Sequence, residues 1–225
     1  MKVSEIFHSI QGEGELTGVP SVFVRTSGCN LRCAWCDTKY AWAGGESLSV
    51  EEVVERVAAY PTRFCVLTGG EPMIAEGIHD LAGRLQAAGK HTTIETAGTV
   101  PPGGIACSLA SISPKLRNST PVSGEWSRRH EQTRMQPAVI REWLLSYPYQ
   151  LKFVVRAEED IPEITGVIES LRLEAPPEKV LLMPEGTDRE TLATRIPFVL
   201  EACKRHGYRY CQRLQVDLFG NRKGV

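Results

Sequence analysis

The 225-residue chain is predicted to fold as an α/β domain, a mostly parallel sheet covered by helices and open or partly closed into a barrel. Three observations predict it. Short apolar runs of strand character alternate with stretches whose apolar residues recur at helical spacing, the pattern of βα units feeding a parallel sheet. Polar or glycine-rich clusters follow most of the predicted strands, where parallel sheets collect ligands. The length suits one sizeable core.

In chain order, Ser21–Arg25 reads as the first strand and feeds a loop containing three cysteines. Val50–Ala59 sets Val50, Val53, Val54, Val57 and Ala58 at helical spacing, with Ser49 and Glu52 as a capping box. Phe64–Leu67 is a short buried strand ending in Thr68-Gly69-Gly70-Glu71-Pro72, and Ile78–Ala88 is a helix. Thr92–Glu95 and Ala106–Ile112 are strands, the second running into Ser113-Pro114-Lys115. A helix near Ala138–Leu145, a strand at Gln150–Val155, a helix at Ile161–Leu171 and a strand at Val180–Met183 follow. Thr191–Lys204 is the last helix, with Thr187 and Glu190 available as caps.

A formal charge of −1 gives no global footprint for wrapping nucleic acid or for polybasic membrane attachment. Met1–Glu5 is not followed by an apolar signal region, and no apolar run is long enough to span a bilayer. The expectation is a cytoplasmic protein without nucleic-acid or membrane partners. Seven cysteines, an odd number with three in one loop, fit a reducing compartment better than a disulfide framework. Cys65 and Cys203 read as small buried hydrophobes, and Cys107 and Cys211 stand singly.

Cys29, Cys33 and Cys36 form CxxxCxxC, three thiolates from one loop with no fourth close by. Four-iron clusters normally take four thiolates, so a three-thiolate cradle leaves one iron open to an outside ligand. A structural zinc is the alternative, although such sites prefer four closed ligands, often at paired CxxC-like spacing. Burial as apolar residues is the other.

CxxxCxxC with an aromatic residue, Trp35, before its last cysteine resembles the signature of the radical S-adenosylmethionine (radical SAM) superfamily. The resemblance implies a partial (open) β/α barrel of the radical SAM type around a mostly parallel six-stranded sheet, with residues 1–225 as a single domain. It also implies a [4Fe-4S] cluster on Cys29, Cys33 and Cys36, whose open iron is chelated by SAM and whose reduction yields a 5'-deoxyadenosyl radical. Gly69-Gly70-Glu71-Pro72, otherwise an ordinary tight turn, is similar to the motif that grips the methionine end of SAM. Ser113, Pro114 and Lys115 resemble a later SAM-binding segment, and Trp35, Cys36 and Asp37 would line the same pocket. Asp37 could equally brace the loop.

The opening Ile6–Gly14, followed by Gly18–Arg25, is similar to that of the 7-carboxy-7-deazaguanine synthase family, and so are Trp35–Thr38, Ser113–Leu116 and the tail Phe219–Val225. That family implies a carbon–nitrogen lyase of queuosine biosynthesis. It contracts 6-carboxy-5,6,7,8-tetrahydropterin to 7-carboxy-7-deazaguanine with loss of ammonia. The resemblance makes residues near the start an N-terminal substrate-binding segment, with Ile10, Gln11 and Gly12 on the pterin edge, and makes the end a C-terminal tail. Arg25 would fork onto the substrate carboxylate, as an Arg can and a Lys cannot, with a surface-facing Arg as the alternative. Thr68 would touch substrate or cap its strand. Thr38 would give an oxygen to Mg2+, or serve as a turn residue. A flavodoxin-like electron donor and a homodimer are also implied. Met183–Gly186 and Gln215 depart from the family pattern, and the Arg-rich stretch 115–134 reads as a cover, a donor-docking surface or a solvated run. A radical SAM activating enzyme acting on a partner protein and a non-enzymatic zinc-binding module are the competing functions.

Overall fold

The structure is a computed structural model that describes residues 1–173 and 175–225. The strands are β1 (Lys2–Ile10), β2 (Pro20–Thr26), β3 (Glu46–Ser47), β4 (Phe64–Gly69), β5 (His91–Thr96), β6 (Leu109–Ile112), β7 (Tyr149–Val155), β8 (Val180–Pro184) and β9 (Arg209–Tyr210). The helices are α1 (Val50–Ala58), α2 (Ile78–Ala87), α3 (Glu125–Thr133), α4 (Pro137–Ser146), α5 (Asp160–Ser170), α6 (Arg189–His206) and α7 (Leu214–Phe219). They build one sheet in the order β3-β1-β2-β4-β5-β6-β7-β8-β9, which stays open, with β3 and β9 at opposite edges.

The six predicted strands are the parallel run β2, β4, β5, β6, β7 and β8. Three more extend it to nine, so the six-strand expectation is short by β1, β3 and β9. β1 pairs antiparallel with β2 from Val3↔Thr26 to Ile10↔Pro20. Its residues are mostly half-buried, so its sequence carries Ser4, Glu5, His8 and Ser9 among the apolar positions and lacks the continuous apolar run of a covered parallel strand. β3 and β9 have two residues each, too few to show a period.

Ser49 accepts from the Glu52 N–H and the Glu52 carboxylate accepts from the Ser49 N–H, so α1 starts on the expected capping box. α6 is capped by Asp188, which accepts from the Thr191 N–H at 2.7 Å, rather than by Thr187. Neighbouring Thr and Asp are both good N-caps, and the backbone turn chooses between them. Residues 125–133, read as part of an Arg-rich surface run, form α3. Ala106–Ser108 lies outside β6, whose pairing starts at Leu109.

Trp143, Phe153, Leu67, Ile94, Ile112, Leu151 and Ile164 are fully buried between the sheet and its helices, each contributing about 1.5–3 kcal/mol by leaving water. Cys65 and Cys203 sit in this core as expected, and all seven cysteines are free thiols. The register aligns Thr26 with Gly69, Thr96 with Ile112 and Val155 with Pro184. The C-terminal tips of the parallel strands therefore lie level along one edge, and the loops leaving them meet there.

Candidate active site

A cavity of about 250 Å³ opens at that edge. The loop after β2 supplies one wall with Cys29, Cys33, Trp35, Cys36, Asp37 and Thr38. Burial pushes the Cys29 thiol up to about 11 and the Cys33 thiol up to about 12, so in the free protein both are neutral thiols. Among the described residues no three His, Cys, Asp or Glu side chains stand close enough together to chelate one metal ion. The three sulfurs thus face the cavity without being closed on a single centre. Three unpaired cysteines beside open space, soft donors without a fourth, fit an iron–sulfur cluster.

The loop is anchored from behind. The Arg32 N–H donates to His130 Nδ1 at 3.1 Å, and His130 Nε2 lies 2.9 Å from Ser119 Oγ. Ser119 Oγ already donates to the Leu116 carbonyl at 2.6 Å, so the imidazole is neutral with its proton on Nε2, and burial holds it well below its ordinary value, at about 4.

The turn after β4 presses on this loop. The Glu71 N–H donates to the Gly28 carbonyl at 2.9 Å, and a Cβ on Gly70 would stand 2.2 Å from that same oxygen and 2.7 Å from Cys29 Cβ. Gly70→Ala is therefore expected to push the two loops apart. Iron bound after anaerobic reconstitution should fall at least ~10-fold, with the melting temperature of the iron-free protein lowered by only a few degrees, about 1–2 kcal/mol.

Glu71 is 1% exposed and does not line the cavity. Its carboxylate accepts from Thr96 Oγ1 at 2.7 Å and from the N–H groups of Ala97 and Met73 at 2.9 and 3.2 Å. It ties the tips of β4 and β5 together, and burial raises its pKa despite these bonds. Ser113 and Lys115 line the cavity, with Lys115 Nζ donating to Ser113 Oγ at 2.8 Å and lying over Trp35 at 5.8 Å; Pro114 does not. Thr38 lines it too, its hydroxyl 3.7 Å from Cys36 Sγ.

The opposite wall comes from β1, β2 and the strand tips, with Phe7, Ile10, Gln11, Gly12, Phe23, Arg25, Thr68 and Glu95. Arg25 Nε donates to Glu5 at 2.7 Å, and the Tyr40 hydroxyl donates to the same oxygen at 2.7 Å. With Nε held from behind, the terminal amino groups of the guanidinium are left for the cavity. Phe7 stacks on Phe23 with centroids 4.9 Å apart, giving a flat apolar face. Glu95, which sequence reading left unassigned, accepts from Gln11 Nε2 at 3.1 Å and from Thr68 Oγ1 at 3.2 Å.

Between the walls lies a network that sequence reading missed. Glu13 pairs with Lys152, with Arg213 at 3.3 Å and with Gln215 Nε2 at 2.7 Å; Arg213 also pairs with Asp37 and donates to the Gly186 carbonyl. Burial would raise the Glu13 pKa, but Lys152 and Arg213 outweigh it and hold the carboxylate down at about 2. The same contacts keep Lys152 and Arg213 protonated against their own burial. Gln215 Oε1 is buried with no donor among the described residues. The loop that carries Glu13 is seated on β7, where Gly14, at φ +80°, would put a Cβ 2.2 Å from Gln150 Nε2. The Gly12 carbonyl accepts from the Leu214 N–H at 3.0 Å. The one available signal was Lys152 itself, a lone charge between Leu151 and Phe153 in an otherwise apolar strand.

The sequence matches the Radical SAM superfamily over residues 23–113. It is 46% identical to a 7-carboxy-7-deazaguanine synthase of Rhodopirellula baltica, over 99% of this chain and 88% of that protein. It is 42% identical to one of Halobacterium salinarum, over 98% of this chain and 91% of that protein. The crystal structure of QueE from Escherichia coli superposes with a TM-score of 0.73 at 24% identity, over 95% of this chain and 93% of that one, which is a likeness of fold.

Proposed function

The chain belongs to the 7-carboxy-7-deazaguanine synthases, radical SAM enzymes of queuosine biosynthesis, and from that premise we propose which of its groups hold the cofactors and the substrate, 6-carboxy-5,6,7,8-tetrahydropterin. Membership decides for this synthase over the protein-activating and zinc-binding alternatives. The observation that carries the assignment is the meeting of three unpaired cysteines and the free fork of Arg25 in one cavity.

Cys29, Cys33 and Cys36 hold the [4Fe-4S] cluster. When bound there, the cluster and SAM would supply the one-electron radical chemistry that begins the ring contraction. The backbone of Trp35 and Cys36, together with Asp37, Gly70, Ser113 and Lys115, forms the SAM pocket, and Pro114 joins the last two without lining it. Glu71 supports it from beneath by fixing the tips of β4 and β5.

Arg25 binds the substrate carboxylate through two parallel donors. The amino and ring N–H groups of the pterin are donors, and Glu95, Glu13 and the unpartnered Gln215 Oε1 are acceptors facing the same space. Ile10, Gln11, Gly12 and Thr68 frame that edge, and Phe7 and Phe23 give the bicycle an apolar wall. Such placement contributes to rate by holding C6 in position and keeping water out.

Thr38 supplies one oxygen to Mg2+, a hard cation that retains several waters. Chelating Mg2+ should slow wild-type turnover several-fold and Thr38→Val much less, as titrations with each variant will read. The electron comes from a flavodoxin-like donor. What supports a homodimer is the outer edge of β1, paired with β3 only at Lys2 and Val3; light scattering tests it. No helix among the described residues is long and apolar enough to cross a membrane, and a cytoplasmic site is part of the proposal.

The test is anaerobic reconstitution with iron and sulfide, then incubation with SAM, dithionite, Mg2+ and the carboxylated pterin. Mass spectrometry should find 7-carboxy-7-deazaguanine and 5'-deoxyadenosine; absence of the deazapurine from cluster-replete protein overturns the reading. Arg25→Ala should raise KM roughly 30-fold or more, the cost of truncating one partner of a buried charge pair, with iron content unchanged. Equal turnover at low substrate would remove Arg25 from the site.

A further inference from the structure

Glu5 and Arg25 face each other across the β1–β2 ladder, directly beside the bulge that interrupts it between Val3 and Glu5. Bulges re-aim side chains and gather next to active sites. The pair is nearly dry, with the Arg25 side chain 16% and the Glu5 side chain 9% exposed, yet only Arg25 lines the cavity. Glu5 stands one layer back. Burial pushes the Tyr40 phenol up to about 12, so its hydroxyl stays protonated and donates to Glu5. The Lys223 ammonium of the tail lies over the Tyr40 ring at 4.8 Å, and the Arg25 guanidinium lies over Phe7 at 5.9 Å.

This pair leaves a bond unmade. A buried Arg–carboxylate pair ordinarily closes fork on fork, with two parallel bonds to two oxygens. Here Arg25 Nε and the Tyr40 hydroxyl converge on a single oxygen, Glu5 Oε1, at 2.7 Å each, while Glu5 Oε2 is buried without a donor among the described residues. The terminal amino groups of Arg25 donate to no acceptor among those residues either, and Nε alone is held. Leaving a buried oxygen unpaired is unfavourable, so the side-on contact persists against a simpler alternative. It keeps the outer edge of the guanidinium for a second carboxylate arriving from the cavity.

We propose that Glu5, steadied by Tyr40, is a positioning residue for Arg25: it fixes how far the guanidinium reaches into the cavity, and so makes the site select a carboxylate over an uncharged group on the substrate. The inference rests on the reading above, in which Arg25 binds the substrate carboxylate. It adds that the length of the side chain behind Arg25, more than its charge, sets that contact. Two parallel N–H to oxygen bonds tolerate little displacement of either partner, and a substrate held slightly out of place reacts slowly. A carboxamide offers the fork one acceptor instead of two, so it gains little from the alignment and loses little when the alignment goes.

The experiment uses reconstituted holoenzyme with SAM and Mg2+, and two substitutions that separate reach from charge. Glu5→Asp keeps the charge and withdraws it by one methylene, whereas Glu5→Gln keeps the reach and an acceptor oxygen and removes the charge. The readouts are KM and kcat for the carboxylated tetrahydropterin and the inhibition constants of pterin-6-carboxylate and pterin-6-carboxamide, with iron content and melting temperature as checks on assembly. Glu5→Asp should weaken the carboxylate inhibitor and raise KM at least ~10-fold, the worth of one hydrogen bond to a charged group, and move the carboxamide less than ~2-fold. Its kcat should fall by a smaller factor than its KM rises. Glu5→Gln should keep carboxylate inhibition within ~3-fold of wild type. Carboxylate affinity unchanged in Glu5→Asp, or an equal loss for both inhibitors, would leave Glu5 a structural role only and overturn the proposal. So would a Glu5→Gln variant at least as weak towards the carboxylate as Glu5→Asp, which would make charge rather than placement the active property. Arg25→Ala, measured in parallel, separates this from the reading beneath it. If that variant binds the carboxylate as wild type does, the assignment of Arg25 falls; if it binds weakly while Glu5→Asp does not, only the role of Glu5 falls.

Discussion

Cys33→Ala will give a folded, colourless protein that forms no 5'-deoxyadenosine above the buffer background. Cys33 is buried in a small cluster with Leu31 and Ala97, and its thiol is neutral in the free protein because burial raises its pKa to about 12. The side chain therefore adds little to the fold beyond apolar contact, and its loss should cost about 1 kcal/mol, ~2–4 °C in melting temperature for a chain of this size. Serine at this position would add a buried hydroxyl and could still offer an oxygen, so alanine separates ligation from packing. Iron and sulfide analysis, the visible spectrum and the melting curve of the iron-free protein are the readouts. A brown variant with turnover would remove Cys33 from the ligand set, and a chain that failed to fold would make the cysteine loop a structural element first.

Arg213→Met should produce the largest loss of stability outside the apolar core. Arg213 is one-tenth exposed and joins Glu13 of the N-terminal loop, Asp37 of the cysteine loop and the carbonyl of Gly186 after β8. Methionine fills similar space but leaves Glu13 with Lys152 as its one cation, beside the neutral Gln215 amide, and Asp37 without its ion-pair partner. Removing one partner from a buried network costs about 3 kcal/mol, or ~6–12 °C, and KM should rise as Glu13 and Asp37 relax. The pH dependence gives an independent check. The Glu13 carboxyl lies at about 2 in the folded protein against 4.5 for the free group, so its contribution is fully present above 4.5 and disappears as pH falls from 4.5 towards 2. Acid unfolding of wild type should show that loss, and the curve for Arg213→Met should be flatter over the same interval. Parallel curves would take Glu13 out of the ionic network.

Features encoded locally were legible before the fold was known. The Ser49–Glu52 capping box depends on residues three apart and formed as its pattern implied. The six parallel strands were visible as short apolar or β-branched runs between turn signals, Thr92–Glu95 by its β-branched residues rather than by a continuous apolar run. Strand β1 was not, since it is mostly half-buried and its pattern is broken by polar residues. Helix α3 was hidden in a charged run because only its inner positions, such as His130, are covered. Residues were also misplaced by short-range ambiguity, as when Asp188 rather than Thr187 capped α6.

By itself the sequence determined the spacing of Cys29, Cys33 and Cys36, the chain order of the six parallel strands, and the glycine pair that lets the turn after β4 approach the cysteine loop. Each of these depends on covalent spacing or on a short period, which the order of residues states directly. Only the tertiary structure decided that Glu13, Asp37, Lys152 and Arg213, up to two hundred positions apart, share one buried network. It also decided that Glu5 stands behind Arg25, and that the Arg32 guanidinium meets the indoles of both Trp42 and Trp126. The worth of a charge depends on which opposite charges burial brings to it and on how much water is removed, and both are properties of packing that no local pattern contains.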